Sequence, residues 1–170
     1  TPSAYEEVWT GTTGASADKV DGISGTNLIR YDSPSFSGAT VHVAHQAAEQ
    51  SAVTASTYTD FGISYSPEMV EGLTVAYGEG SYDTSAVLST DEHTMYALYT
   101  MGSLSVGYQQ SEINAGTAAT TDETVSMSVS YAVSDDLSIS YGTHTVDFGD
   151  QGTDQESSGF SASYTMGGMT

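Results

Sequence analysis

Residues 124–145 alternate apolar residues with small polar ones, and they do so on both sides of a short turn. The first run reads Val-Ser-Met-Ser-Val-Ser-Tyr and the second reads Leu-Ser-Ile-Ser-Tyr-Gly. Side chains on a β-strand point to opposite faces with a period of two, so each run predicts a strand with one apolar and one small polar face. The small polar face is the informative one, because a soluble sandwich usually turns long polar or charged side chains to water.

The same hairpin recurs along the chain. A tyrosine ends the first strand of each copy, at intervals of 32 to 34 residues, and these residues are Tyr31, Tyr65, Tyr99, Tyr131 and Tyr164. A period in this range indicates a repeat architecture, and these hairpins could close as a meander barrel or stack as a β array. We predict strands at about 27–32, 39–46, 57–66, 73–82, 92–101, 104–112, 123–132, 137–147 and 157–166, with a tenth starting at 169.

Two kinds of connection alternate between these strands. Short turns follow the tyrosine-ended strands, and longer connections lie at roughly 47–56, 83–91, 113–122 and 148–156. Most acidic residues of the strands gather near the longer connections, and the central segments are almost free of charge, with Asp60 as an exception. Short turns at one end, longer loops at the other and an uncharged band of about 9 residues on each strand are typical of a transmembrane β-barrel.

Composition excludes several functions. The 170 residues are enough for one domain, and they include 22 acidic but only 2 basic residues, for a net charge of -20. A chain this acidic has nothing to neutralise phosphates, so it does not bind nucleic acid. It contains no Cys, and no nucleophile, P-loop or dinucleotide motif occurs in a suitable context. We therefore predict that the chain is not an enzyme and needs no cofactor.

Three segments resemble parts of the Gram-negative general porins. Residues 27–38, Asn-Leu-Ile-Arg-Tyr-Asp-Ser-Pro-Ser-Phe-Ser-Gly, are similar to the strand and turn that follow the constriction loop in that family. Residues 130–138 and 163–170 are similar to porin hairpins. The resemblance implies an all-β, up-and-down antiparallel transmembrane β-barrel, of the sixteen-stranded trimeric type. It also implies a bacterial outer-membrane location, contact with lipid and lipopolysaccharide, and passive diffusion of small hydrophilic solutes.

The resemblance also divides the chain into two parts. Residues 1–26 correspond to the constriction loop, and the spacing of Ser3 and Glu6 predicts a short helix there. Residues 27–170 correspond to the barrel wall, with about 9–10 strands. Because open edges cannot stand unpaired in lipid, we expect strands outside this sequence to complete the wall at both ends.

Candidate pore residues follow from the same resemblance. Glu6 and Glu7 would narrow the pore and repel anions, although the alternative is a solvated helix face; Asp18 and Asp21 are candidates for the same rim. Alternation puts Arg30 and Asp32 on the lumenal face, where Arg30 either belongs to a basic wall or is simply paired with Asp32. Tyrosines that border the uncharged band form a predicted aromatic girdle, made of Tyr31, Tyr65, Tyr77, Tyr99, Tyr108, Tyr131, Tyr141 and Tyr164.

Metal binding is the weaker interpretation of the polar clusters. His42 and His45 are three residues apart and face opposite sides of a strand, so they cannot share a metal. Acidic residues near the last long connection, Asp147, Asp150 and Asp154, could hold Ca²⁺. The alternative is a solvated loop of mutually repelling charges.

Two functions from different classes remain at this stage. The first is a porin channel for passive diffusion, cation-preferring because acidic residues dominate, and assembled as a homotrimer. The second is a secreted or cell-surface acidic β-rich protein, such as an adhesin or a structural array. The first needs detergent for solubility and conducts ions across bilayers, whereas the second needs neither.

Overall fold

The described part of the protein is built from β-strands. A computed structural model describes residues 28–47, 57–85, 88–114, 116, 121–149 and 153–165. Within these ranges the strands are β1 (Leu28–Asp32), β2 (Ala39–Gln46), β3 (Thr57–Tyr65), β4 (Leu73–Ser85), β5 (Leu88–Met101), β6 (Leu104–Asn114), β7 (Thr121–Ala132), β8 (Leu137–Phe148) and β9 (Gln155–Tyr164). No helix long and apolar enough to cross a membrane occurs in these ranges.

All nine strands form one antiparallel meander. Each strand pairs with the next along the chain, in the order β1-β2-β3-β4-β5-β6-β7-β8-β9. The strands β1 and β9 are the two edges of this sheet, which is not closed within the described residues. The predicted all-β, up-and-down architecture is confirmed as a partial barrel wall, whereas the predicted short helix lies outside the described residues.

The predicted strands are confirmed with one notable difference in length. We expected a long connection over 83–91, but β4 continues to Ser85 and β5 already begins at Leu88. The two strands remain paired in this region, with Tyr82 opposite Thr90 and Asp83 opposite Ser89. Their backbone groups therefore stay hydrogen-bonded past the predicted strand ends. The connection is therefore two residues long, and short and long connections do not alternate strictly. The predicted tenth strand at 169 lies outside the described residues.

Short turns close the hairpins at one end of the sheet, which we call the turn end; the opposite end is the loop end. Between β1 and β2, Ser37 and Gly38 both have positive φ, 49° and 84°, as a two-residue type I′ turn requires. Between β5 and β6, Gly102 supplies a φ of 58°. Between β7 and β8, the hydroxyl of Ser134 accepts hydrogen bonds from the backbone N–H groups of Asp136 and Leu137.

Each turn is also bonded to the next hairpin. The carbonyl of Gly38 accepts a hydrogen bond from the N–H of Ser66 at 2.9 Å, and the carbonyl of Gly72 accepts one from the N–H of Thr100 at 2.9 Å. The same bond recurs from Ala132 to Ser103 and from Thr165 to Asp136. The same type of backbone hydrogen bond therefore joins each of four successive turns to the first strand of the next hairpin.

The strands are staggered as in a barrel. A continuous row of cross-strand partners runs from Asp32 on β1 through His42 on β2 to Gln155 on β9. His42 is three residues from Ala39, the turn-end residue of β2, and Gln155 is nine residues from Tyr164, the turn-end residue of β9, so the row climbs six residues over seven strand-to-strand steps. With about 3.3 Å per residue and about 4.8 Å between strands, the strands tilt by roughly 30°, somewhat less than the roughly 35–45° of closed barrels.

Candidate functional site

The two faces of the sheet differ in both chemistry and burial. We call the face that carries Val43, Ile63 and Met127 the apolar face, and the opposite face, rich in Ser, Thr and Gly, the polar face. Met127 is 53% exposed, whereas Thr94 on the polar face is 1% exposed. All buried residues of the described strands lie on the polar face: Ala44, Gln46, Tyr58, Gly80, Thr90, Thr94, Gly107, Gln109, Ser111, Thr124, Ser126, Gly142, His144 and Val146.

This arrangement is the reverse of a soluble sandwich, which would bury its apolar face against a second sheet. The described residues contain one sheet only, and its apolar face remains open along its length. An apolar outer band and a polar interior are what a transmembrane barrel requires.

Small hydroxyl groups bond to each other across the polar face. Thr94 Oγ1 donates to Ser111 Oγ at 3.0 Å, and Ser126 Oγ lies 2.8 Å from His144 Nδ1. Nearer the turn end, the hydroxyls of Thr100 and Ser105 are 3.0 Å apart. These cross-strand pairs give each polar side chain a hydrogen-bond partner on the neighbouring strand. Because most of the side chains are small, the polar face is hydrophilic and its side chains occupy little volume.

Four charged residues of the polar face fall on one row, and Asp32 lies on the row nearer the turn end. Arg30 lies opposite Ala44, which lies opposite Asp60, and the row continues through Gly80 to Glu92. From Glu92 it passes through Ile113 to Asp122 and ends at Phe148. Directly opposed residues of an antiparallel sheet share a face. A charge therefore stands on every second strand, namely on β1, β3, β5 and β7.

Near the turn end of the polar face, Asp32 contacts the side chains of Arg30 and His42. Arg30 Nε donates to the two carboxylate oxygens of Asp32 at 2.9 and 3.1 Å, and His42 Nδ1 lies 2.6 Å from Asp32 Oδ1. Arg30 is therefore paired with Asp32, and its role in a basic wall stays a prediction. Arg30 is the only Lys or Arg in the described ranges.

Glycines leave open space beside this row. Gly62 and Gly78 are direct cross-strand partners on β3 and β4, and both lie on the polar face. A Cβ at Gly62 would meet nothing closer than Tyr77 O at 3.6 Å, and one at Gly78 nothing closer than Phe61 O at 3.8 Å. These distances are ordinary van der Waals contacts, so a Cβ fits at either glycine without moving the backbone, and the two glycines form a recess in the polar face.

The eight predicted girdle tyrosines all lie on the apolar face, at two levels. Tyr31, Tyr65, Tyr99, Tyr131 and Tyr164 are within two residues of the turn-end limit of their strands. Tyr77, Tyr108 and Tyr141 lie four residues above the turn end. The hydroxyl of Tyr77 donates to Glu79 Oε2 at 3.0 Å, and that of Tyr108 donates to Gln110 Oε1 at 3.1 Å. In these two pairs the ring lies on the apolar face and its hydroxyl reaches toward the loop end.

A second row, of acidic residues and one histidine, lies on the apolar face near the loop end. It joins Glu79, His93, Glu112, Glu123 and Asp147 on five consecutive strands, and His93 Nε2 is 3.7 Å from Glu112 Oε2. Below this row, the stretch without Asp, Glu, Lys or Arg runs from six residues on β4, residues 73–78, to ten on β8, residues 137–146. The predicted length of about 9 residues therefore suits β7 and β8 and is too long for β4, because Glu79 comes early.

Several predicted site residues are not described. Glu6, Glu7, Asp18, Asp21 and Asp150 lie outside the described residues, so their predicted roles stay predictions. Asp147 ends the apolar-face row, and Asp154 is an exposed residue before β9. In the described ranges, no group of three or more His, Asp or Glu side chains is placed to hold a metal ion.

Two residues of the polar-face row, Glu92 and Asp122, were missed as lumenal candidates. Each stands next to another acid, Asp91 or Glu123, and the four were grouped as acids of the loop end. Adjacent residues of a strand must face opposite sides. The pairs Asp91-Glu92 and Asp122-Glu123 therefore already contained the signal that one member of each pair faces inward.

Comparison with known proteins agrees with this architecture. A family model described as Gram-negative porin matches residues 2–170. No curated protein and no solved structure matches the chain. The family match covers nearly the whole chain, and the structure shows the staggered meander with exposed apolar and buried polar faces that such a protein requires. The chain belongs to the Gram-negative porin family.

Proposed function

We propose that the chain forms part of the wall of a water-filled outer-membrane channel through which small hydrophilic solutes and ions diffuse passively, with a preference for cations. The observation that carries this proposal is the reversed burial of the two faces. Val43, Met127 and Phe160 are 39%, 53% and 70% exposed, whereas Thr124 and Ser126 are each 1% exposed. In a membrane this exposed apolar face contacts lipid. That contact is favourable because it removes the apolar side chains from water.

Family membership supports the general part of this proposal. Gram-negative porins are channels of the outer membrane and not enzymes, so the chain is assigned to that class of protein. In such a channel both sheet edges, β1 and β9, need pairing partners, because unpaired backbone groups are costly in hydrocarbon.

The proposed cation preference follows from the charges of the polar face. In the described strands this face carries the carboxylates Asp32, Asp60, Glu92 and Asp122, against the single guanidinium of Arg30. Arg30 is itself paired with Asp32. An excess of fixed negative charge in a low-dielectric pore raises the local cation concentration and lowers that of anions.

We extend the proposal to the narrow part of the pore and to the assembly. Glu6, Glu7, Asp18 and Asp21 would line the constriction, as the resemblance implies, and their charge has the sign that cation preference needs. The tyrosines of the apolar face would lie at the level of lipid and lipopolysaccharide headgroups. The protein would assemble as a homotrimer, the usual state of the family that it resembles.

Planar-bilayer recording tests the proposal. The purified protein in detergent is added to a bilayer that separates two KCl concentrations. We expect stepwise conductance increases and a reversal potential whose sign shows that K⁺ is more permeant than Cl⁻. A protein that stays monodisperse in water without detergent and produces no steps would instead be the secreted acidic β protein.

A bulky side chain in the glycine recess should narrow the channel. We expect Gly78→Trp to lower single-channel conductance by some tens of per cent, because the indole fills space on the polar face. The matched control is Tyr77→Trp, the neighbouring residue on the apolar face, which should leave conductance unchanged. Equal effects of the two substitutions on conductance would contradict the assignment of the polar face to the pore.

A further inference from the structure

A cavity of about 380 Å³ indents the apolar face between β3 and β6. This volume is within the range of small-molecule sites, roughly 300–1,000 Å³. The floor of the cavity is Ala97, which lies between Val75 and Tyr108 in the cross-strand register. The walls are larger side chains, those of Ile63, Tyr65, Val75, Tyr77, Met95 and Tyr108. The cavity therefore exists because a small residue is surrounded by large ones on the same face.

The cavity occupies the half of the apolar face nearer the turn end. It extends from Tyr65, the turn-end residue of β3, to Met95, which is six residues from Met101 at the turn end of β5. Six residues correspond to about 20 Å along a tilted strand. The cavity thus reaches about the middle of a hydrocarbon core whose half-thickness is roughly 15 Å. Its extent suits one acyl chain of the leaflet on the turn side.

Polar groups end the apolar surface directly above the cavity. The hydroxyl of Tyr77 donates to Glu79 Oε2 at 3.0 Å, and the rings of Tyr77 and His93 are stacked with their centroids 6.5 Å apart. An acyl chain that entered from the loop end would pass these groups before it reached apolar side chains. Entry from the turn end requires no such contact, so the headgroup of the bound lipid lies at the turn end.

The turn below the cavity is acidic. Glu68 is three residues past Tyr65, Glu71 is four residues before Val75, and both acids are exposed. Arg30, the single Lys or Arg of the described ranges, lies on the polar face and not here. Carboxylates repel an anionic headgroup and attract a cationic one. A phospholipid at this position is therefore favoured if its headgroup carries an ammonium group.

We propose that this cavity binds one acyl chain of a phospholipid in the turn-side leaflet, with a primary ammonium headgroup, as in phosphatidylethanolamine, beside Glu68 and Glu71. The proposal rests on the channel function proposed above, which places the apolar face in lipid, and adds a specific lipid site to it.

A second copy of the chain fits the cavity less well than a lipid does. Rotation about an axis normal to the membrane keeps every residue at its height, so two copies in contact here would bring the carboxylates of Glu79 and Glu112 close to those of the partner. The described part of the apolar face offers no Lys or Arg to pair them. Like charges brought together without a cation repel each other.

Native mass spectrometry of the detergent-solubilised protein, with phosphatidylethanolamine added, counts the bound lipids. We expect one lipid per chain to remain after activation that removes the others. Ala97→Phe fills the floor of the cavity and should weaken this binding about ten-fold, the effect of lost contact with about two methylene groups. The matched control is Ala162→Phe, the same change opposite Ile139 on the apolar face of β9, which should leave binding unchanged. Equal retention by the two variants would overturn the site.

The same titration with phosphatidylglycerol and with lipopolysaccharide tests the class of lipid. We expect phosphatidylethanolamine to be retained more strongly than either. Replacing both turn acids, Glu68→Gln with Glu71→Gln, should remove this preference over phosphatidylglycerol while leaving one lipid bound. Retention of phosphatidylglycerol or lipopolysaccharide as strong as that of phosphatidylethanolamine in the unaltered protein would overturn the proposed ligand.

Photo-crosslinking in vesicles supplies a measurement that does not depend on how the variants fold. A phosphatidylethanolamine with a diazirine on its acyl chain is irradiated with the unaltered protein, and the adducts are mapped by mass spectrometry. We expect adducts to concentrate on the segments that contain Tyr77 and Met95, and an excess of unlabelled phosphatidylethanolamine to displace them. Equal labelling of the segment around Phe160 would show general lipid contact only and would overturn the site.

Conductance separates this proposal from the channel function. Ala97 lies on the apolar face, so Ala97→Phe should conduct like the unaltered protein. Loss of the lipid site by the tests above, in channels that conduct normally, would leave the channel function standing. Absence of conductance in the unaltered protein would instead contradict the channel function itself.

Discussion

Replacing Met127 by Arg is expected to destabilise the protein in a membrane by about 2–4 kcal/mol, the usual cost of a cation at mid-depth on the lipid face of a barrel. Met127 is on the apolar face, five residues from the turn end of β7, and is 53% exposed. In water a substitution at such an exposed site would change stability by no more than about 0.5 kcal/mol. The free energy of unfolding, measured by urea titration in lipid vesicles, therefore distinguishes a lipid-facing surface from a solvated one.

The adjacent residue provides the control. Ser128 lies on the polar face between Gly107 and Gly142, its direct cross-strand partners, so neither of these neighbours has a side chain that a longer one would displace. We expect Ser128→Arg to cost about 1 kcal/mol, roughly one lost hydrogen bond, and to reduce cation preference. If Met127→Arg proved as well tolerated as Ser128→Arg, the apolar face would not be in contact with lipid.

Replacing Gly72 by Ala is the second change with a large expected effect. Gly72 has a φ of 82°, and a Cβ there would collide with the backbone oxygen of Thr100 on β5. The positive φ alone costs about 1–2 kcal/mol for a residue with a side chain. Relief of the collision would also break the hydrogen bond from Thr100 N to Gly72 O. We expect a total loss of about 3–4 kcal/mol, measured by the same titration.

Gly102 separates the two contributions. Its φ of 58° is also positive, but a Cβ there would meet no atom within 4 Å. Gly102→Ala should therefore cost only the conformational penalty of about 1–2 kcal/mol. Similar losses for Gly72→Ala and Gly102→Ala would show that the close approach of the β3–β4 turn to β5 does not occur in the assembled protein.

The locations of the strands could be predicted from the sequence because their signal is local. Alternation with a period of two identifies a strand and assigns each residue to a face without knowledge of any partner. Thus the predicted limits of β2, residues 39–46, agree with the structure, and Arg30 and Asp32 were correctly placed together on one face. Short turns between such strands also favour pairing in chain order. The extension of β4 and β5 was missed because acids and serines near a predicted loop carry little strand propensity.

The arrangement of the polar face could not be predicted in the same way. That Asp60, Glu92 and Asp122 share a row depends on the register of every hairpin between them, and register is a cumulative property of turn length and stagger. The contact of His42 with Asp32 likewise depends on the pairing of β1 with β2. The prediction of a uniform band of about 9 uncharged residues failed on β4 because Glu79 lies on the apolar face directly after only six uncharged residues.

The sequence by itself determined where the strands run and which chemistry each of their faces presents, because side-chain alternation is a property of the extended backbone. Only the tertiary structure decided which charges become neighbours, that the polar face is the buried one, and that Gly72 must remain a glycine. These features arise from contacts between residues distant along the chain, whose positions are set by pairing and stagger together.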